Sequence, residues 1–566
     1  MWARNLLFVV LCLAGLGMIA SSLLDRNRID TPSTFSGGQA KLVSTSVPAD
    51  VKPASEEWPR TTARINAEFE KHWQSQGLAH AERASELAIV RRLSLALTGT
   101  IPSVEEIRAL EQVNPEDRAL WWVAHLLEDR RYADYVAERL ARAYVGTEDG
   151  PFILFRRRRF VTWLADHLHR NNRYDNIVTE LLSDTGLWNA SPAVNFVTVT
   201  AKQDEGNRPD EIRLAGRTTR AFLGMRIDCL QCHDDKLAKV TIMEDGKPRE
   251  GTQQDFHRLA AFFSETGVQL TGVRDEMGKK YEYKFLNAEE KEVVPARVPF
   301  GQEIFDGQGT RRQQLARWVT NPKNKPFARA TVNRIWALMF GKPLVNPVDD
   351  IPLEGPFPPA LETLAGDFIA HGYDLERLIR IIAASEVYQL ESGAEFEITP
   401  AHEAQWAVYP VTRLRPEQVA GSVIQSSSLP TINAQAHLFS QLTKFFQSAE
   451  FVQRYGDLGE DEFIDRGGTI PQRLLMMNGE LVKDRSGENP LQNASARIAA
   501  VTLDNEKAVE TVYLATLTRR PSKEELAQFI TRLNERFPEQ DPSSRAQKLE
   551  DIYWVLLNST EFSWNH

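Results

Sequence analysis

Cys229, Cys232 and His233 stand together in FLGMRIDCLQCHDDKL (Phe222 to Leu237), a C-x-x-C pair with an imidazole directly after the second thiol. Covalent haem attachment needs two thiols on one edge of a helical turn and a neighbouring histidine as axial iron ligand. The spacing meets that requirement locally. His257, in DFHRLAAFFSE, is the best local candidate for a sixth ligand, with Met243 and Met277 as alternatives in loop-like surroundings. Helical periodicity places Phe256, Leu259, Ala260 and Phe263 on a buried stripe and His257 at its flank. Three other chemistries use the same residues. Cys229 and Cys232 can close a structural disulfide, zinc can take Cys229, Cys232, His233 or His257, and a thioredoxin-like pair would need a strand leading into the turn.

Two further constellations carry charge in suggestive patterns. FRRRRF, Phe155 to Phe160, is a dense basic run in a chain of net charge −10. It reads either as a solvated helix face or as a contact for an anionic partner such as a sulfated glycan, a phospholipid headgroup or a haem propionate. Arg329, Asn333, Arg334 and Trp336 fall on overlapping helix faces near Asp349 and Asp350. Arg–Asp pairing that fixes the loop is one reading, and calcium binding or acid–base work on a glycan is the other. No nucleophile elbow, phosphate-binding glycine loop or H-E-x-x-H motif is present. The acidic balance argues against nucleic acid as a partner.

The elements that must position these groups are mainly helical. Leu87, Val90, Leu93 and Leu97 recur at three- and four-residue steps, Gly99 closes that helix, and Ser103 with Glu106 forms a capping box for the next. Ser522 and Glu525 repeat the device near the end of the sequence. RPDEIRLAGRTTRAFLGMRID reads as a helix leading into the cysteine pair, and its Arg213, Arg217 and Arg220 suit haem propionates or plain solvation. Between Gly267 and Gly301, alternating Tyr281, Tyr283 and Phe285 around Gly278-Lys279-Lys280 predict a β-hairpin. Leu315, Trp318 and Val319, then Val332, Ile335, Trp336 and Met339, open a second helical unit.

At the N-terminus an uncharged apolar run from Leu6 to Leu24 is long enough to span a membrane, and Ala20/Ser22 make a poor cleavage site. An uncleaved signal anchor is favoured over a cleaved signal, and either exports the rest of the chain. Cys12 lies within the run without a lipidation context. Residues 25–56, rich in Ser, Thr, Pro and Gly, read as a tether.

Side by side, these segments resemble the planctomycete-type paired domains called PSCyt (cytochrome-c-like) and PSD. RRLSLALTGTIPSVEEI, LLEDRRYADYVAERLARAYVG and FLGMRIDCLQCHDDKL carry the first likeness. LARWVTNPKNKPFARATVNRIWALMFGKPLVNPVDDI, TIPQRLLMMNGELV and VLLNSTEFSWNH carry the second. Asp235 and Lys236 stand where the resembling domains often have a second histidine and a proline, and Phe256 and His257 stand where they have tyrosines.

The expected architecture is mainly α, two helical domains with a small β-hairpin insertion between them, preceded by the anchor and tether. The boundaries are 1–24 for the anchor or signal, 25–56 for the tether, 57–266 for the PSCyt-like domain, 267–310 for the connector and 311–566 for the PSD-like domain. The expected function is an exported, membrane-tethered cytochrome-c-like protein carrying haem c on Cys229 and Cys232, with His233 on the iron and a redox partner. The alternative is a non-enzymatic envelope scaffold that binds glycan or protein, with a C-x-x-C disulfide.

Overall fold

The helix Glu86–Thr98 shows how the sequence builds the interior. Ser85 caps its first turn, Gly99 ends it in the left-handed conformation (φ 67°), and every residue from Ile89 to Thr98 is buried. A helix buried all round must serve two packing surfaces. Leu93 and Leu97 face one apolar cluster, which runs from Ile65 to Tyr409, while Leu95 faces a second that gathers Ile101 and Ile107 with Val423, Val512, Ile552 and Phe562. The same helix buries Arg91 and Arg92, which donate to backbone carbonyls from remote parts of the chain. Arg92 donates to Leu390 at 2.7 Å and to His566 at 2.8 Å and lies over the Tyr409 ring at 3.7 Å. Arg91 donates to Thr516 and Phe562, and burial lowers its guanidinium to about 10.

The computed structural model describes residues 58–147, 156–202, 208–236, 240–244, 246–269, 271–286, 288–432, 463, 494–535 and 544–566. The expected anchor and tether, Phe155 of the basic run and the segment TIPQRLLMMNGELV lie outside them. Among the described residues no helix is long and apolar enough to cross a membrane. They fall within the compact unit Glu56–His566.

Helices dominate, and the strands are short antiparallel pairs. Both expected capping boxes form, Ser103 with Glu106 and Ser522 with Glu525. The helix Lys325–Phe340 is buried from Phe327 to Phe340 and packs against the helices Glu86–Thr98 and Leu361–Ala370. Aromatic contacts bind early and late parts of the chain: Phe69 stacks on Trp336 at 6.0 Å and Tyr174 on Phe327 at 5.7 Å.

The region 267–301 holds strands, but not the hairpin expected around Gly278. Thr266–Gln269 pairs with Gly272–Asp275, and Glu282–Tyr283 pairs separately with Glu292–Val293. The chain reverses before Gly272 (φ 111°), which lies so close to the Gly186 carbonyl that a β-carbon would overlap it. Two pairs that the sequence reading did not anticipate also form: Thr241–Glu244 with Lys247–Glu250, and Thr412–Arg413 with Trp564–Asn565.

Candidate functional site

The approach to the cysteine pair is a helix that changes pitch. Asp210 caps the helix Glu211–Thr218 through the Ile212 and Arg213 amides, at 3.1 and 3.0 Å. The helix then widens into a π turn, Thr219–Leu223, which Gly224 ends in the left-handed conformation. Such turns are often found at functional positions. A 3-10 turn, Asp228–Gln231, follows, and the Cys232 amide donates back to the Cys229 carbonyl at 3.4 Å. Cys229 and Cys232 are exposed and free, and His233 is exposed beside them. The structure therefore brings these three groups onto one outward turn.

The His233 Nδ1 lies 2.7 Å from the Asp234 carbonyl, which can only accept, so in the neutral ring Nδ1 carries the hydrogen and Nε2 the lone pair. Asp235, where the resembling domains have a second histidine, is buried and takes the Val240 amide at 2.6 Å, closing the loop after the turn. Partial desolvation, with the Asp235 carboxylate nearby, pushes the Cys229 thiol up, so it is held as S–H rather than thiolate.

His257 is placed differently from the flank position that periodicity suggests. It is fully buried, its ring stacked on Tyr283 at 3.4 Å, with Phe285 edge-on at 5.6 Å. Nε2 lies 3.1 Å from the Gln231 carbonyl and Nδ1 2.9 Å from the Tyr281 hydroxyl. Burial lowers its pKa, which keeps the ring neutral. Met243 is half-buried in a strand and Met277 is strongly exposed. Among the described residues no three His, Cys, Asp or Glu side chains are grouped to hold a metal ion.

The second constellation resolves into a clamp. Asp349 is buried and paired with Arg220 at 3.0 Å and Arg226 at 2.7 Å, on either side of the π turn's exit. Arg334 donates to the Ala221 carbonyl at 2.6 Å, and Asn333 bonds both the Val345 amide and the Val345 and Val348 carbonyls. Ile351 donates to the Gly224 carbonyl at 2.7 Å. Arg329 pairs with Glu362. Asp349 thus fixes a loop by Arg–Asp pairing, but through Arg220 and Arg226 of the earlier segment and not through Arg329 or Arg334 of its neighbouring helix, and Asp350 lies exposed next to it. Of the arginines considered for propionates, Arg220 is taken by Asp349, Arg213 is exposed and Arg217 is half-buried.

In the basic run, Arg156 lies over the Trp188 ring and Arg157 pairs with Glu138, while Arg158 and Arg159 are exposed. Sequence reasoning missed Gln231, Gln253, Arg226 and the role of Asp235. The Tyr281/Tyr283 alternation was read as a β-hairpin and not as packing beside the turn.

The chain matches PSCyt2, described as a protein of unknown function (DUF1549), over residues 64–267. It matches PSD1, described likewise (DUF1553), over residues 311–448. No curated protein and no solved structure matches it. The cysteine turn lies in the first match and Asp349 in the second, so the chain belongs to the proteins that carry a PSCyt2 domain followed by a PSD1 domain, both of unknown function.

Proposed function

We propose that the chain is an exported, membrane-tethered redox protein of cytochrome-c-like type, with haem c joined to Cys229 and Cys232 and His233 as proximal ligand. The observation that carries this is the tautomer of His233. Its Nδ1–H is committed to the Asp234 carbonyl, which leaves the Nε2 lone pair as the ligating position beside two unpaired thiols. Metal-ligating histidines commonly fix their other nitrogen in this way. Cys229 and Cys232 would each hold the group by adding across one vinyl, the thiol hydrogen passing to the adjacent carbon, which needs no oxidant. Bound haem supplies reversible one-electron transfer at its iron. The chain carries both thiols and the imidazole at exposed positions of one turn, with Gln231 anchored between the thiols and Asp235 after His233. Export agrees with the apolar run from Leu6 to Leu24, as anchor or as cleaved signal.

The test is expression of the full chain in a host with c-type haem maturation, followed by peroxidase staining of a denaturing gel. A haem band is expected, and it should vanish when Cys229 and Cys232 are both replaced by Ala. No band, together with a Cys229–Cys232 disulfide found by mass mapping, would replace this reading with the non-enzymatic envelope scaffold.

A further inference from the structure

The cysteine turn is short and its two thiols and imidazole face solvent, so their placement depends on what grips the turn from behind. Leu230 anchors it in the apolar core, and the polar grip gathers on one atom. The Gln231 carbonyl, between the two cysteines, lies 3.1 Å from His257 Nε2, 3.1 Å from Gln253 Nε2 and 3.4 Å from the Tyr283 hydroxyl. A carbonyl only accepts, so His257 Nε2 carries the ring hydrogen and Nδ1 accepts from Tyr281 at 2.9 Å. Burial pushes the Tyr281 phenol well up and keeps it a donor. The ring is thus set in one tautomer and one orientation, between Tyr283, Phe285 and Phe256.

The helix Gln253–Ala260 holds the far side of the turn as well. The Gln253 amide donates to the Asp234 carboxylate at 2.9 Å, and Gln253 Oε1 accepts from the Leu286 amide at 3.3 Å. Residues 231 and 234, which bracket Cys232 and His233, are therefore fixed to a single helix.

We infer that His257 is a positioning residue: it locks the Gln231 carbonyl so that both thiols and the His233 imidazole share one outward face, and it is not an iron ligand. This rests on reading the turn as the haem attachment site. Its grip on the turn can nonetheless be measured without haem.

The experiment uses the full chain, expressed with and without haem maturation, as wild type, His257→Gln, His257→Leu and Tyr283→Phe. Gln places an amide nitrogen near the Nε2 position and keeps the donor; Leu removes it. In the haem-free protein, backbone hydrogen exchange of a peptide covering 228–235 should rise about tenfold in His257→Leu, as expected for one lost hydrogen bond of about 1.4 kcal/mol. Exchange in the helix Lys325–Phe340 should stay unchanged. His257→Gln should return the turn to within about twofold of wild type, and Tyr283→Phe should change it about two- to threefold, one weaker bond being lost. In matured protein, His257→Leu should lower haem yield, and His257→Gln should restore it with the wild-type Soret position.

Unchanged exchange at 228–235 in His257→Leu would overturn the inference, as would a uniform rise across the molecule, which marks a core residue only. A His257→Gln protein whose attached haem changes coordination spectrum would make His257 a ligand and overturn it too. If wild type takes no haem, the proposed function fails while the exchange measurements still decide the role of His257.

Discussion

Gly224 carries the chain out of the π turn at φ 61°, and a β-carbon there would lie 3.0 Å from Ile351 Cδ1 and 3.2 Å from Ala330 Cβ. Left-handed backbone and crowding act together, so Gly224→Ala should destabilise the protein by about 1–3 kcal/mol, read from urea unfolding. Asp235 offers a second test at the same scale. Its carboxylate is among the groups that raise the Cys229 thiol, so Asp235→Asn removes a negative charge that opposed the thiolate. The pH profile of Cys229 alkylation should move to lower pH, and alkylation at pH 7.5 should quicken, as followed by mass spectrometry. The chemistry of Cys229, Cys232 and His233 was legible because it depends on spacing within one turn. The burial of His257 was not, because the residues that cover it, Tyr281 to Phe285, come from another part of the chain.

Among elements, the short helix Val104–Leu110 is the best example of a local signal with a distant purpose. Its capping box is readable in four residues, but Glu106 also meets Arg131 and lies 3.5 Å from His125. Burial alone would raise the Glu106 carboxyl; the nearby His125 imidazole, the Arg131 guanidinium and the hydrogen bond from the Ser103 amide prevail and hold it at about 2. A carboxyl lowered on folding stabilises the protein fully above its unfolded value, near 4.5, and that stability is lost as pH falls through 2. The difference is worth about 3 kcal/mol at neutral pH. Glu106→Gln should be less stable than wild type by about that amount at pH 7, and the gap should narrow toward pH 3, as urea titrations at the two values would record. Caps of this kind are legible because donor and acceptor lie three residues apart. The strand pairs were placed less well: Gly278 looked like the hairpin turn, yet it is Gly272, pressed against Gly186, that marks the reversal. The π turn left no signature in the sequence reading, and the groups that meet it from outside, Arg334 on the Ala221 carbonyl and Ile351 on the carbonyl of its terminating Gly224, are remote in the chain.

For the whole molecule, the two family segments share one interior. Core residues from Ile65 to Tyr409 form a single apolar cluster, and Asp349 of the later segment holds Arg220 and Arg226 of the earlier one. Asp349→Asn should weaken that clamp by about 1–2 kcal/mol and raise hydrogen exchange in residues 219–228, more than one hundred residues away in sequence. A fragment ending at residue 310 should lose the near-ultraviolet dichroism of a packed core and become sensitive to protease, because Phe69 and Tyr174 lose Trp336 and Phe327. Helix periodicity revealed which faces are apolar in each segment. It carried no information about which face meets which, because that pairing is set by contacts between remote positions.

The carboxylate of Asp349 has a consequence for how such proteins are inherited. A gene rearrangement that separated the two halves would take the Asp349 carboxylate away from Arg220 and Arg226, leaving Arg220 with Asp228 at 3.8 Å, and would leave an acid without these two counter-ions in the other product. Descent with both halves joined keeps those charges matched. Substitutions at positions 220, 226 and 349 are accordingly expected to co-vary among descendants, each tolerated only when the others change with it.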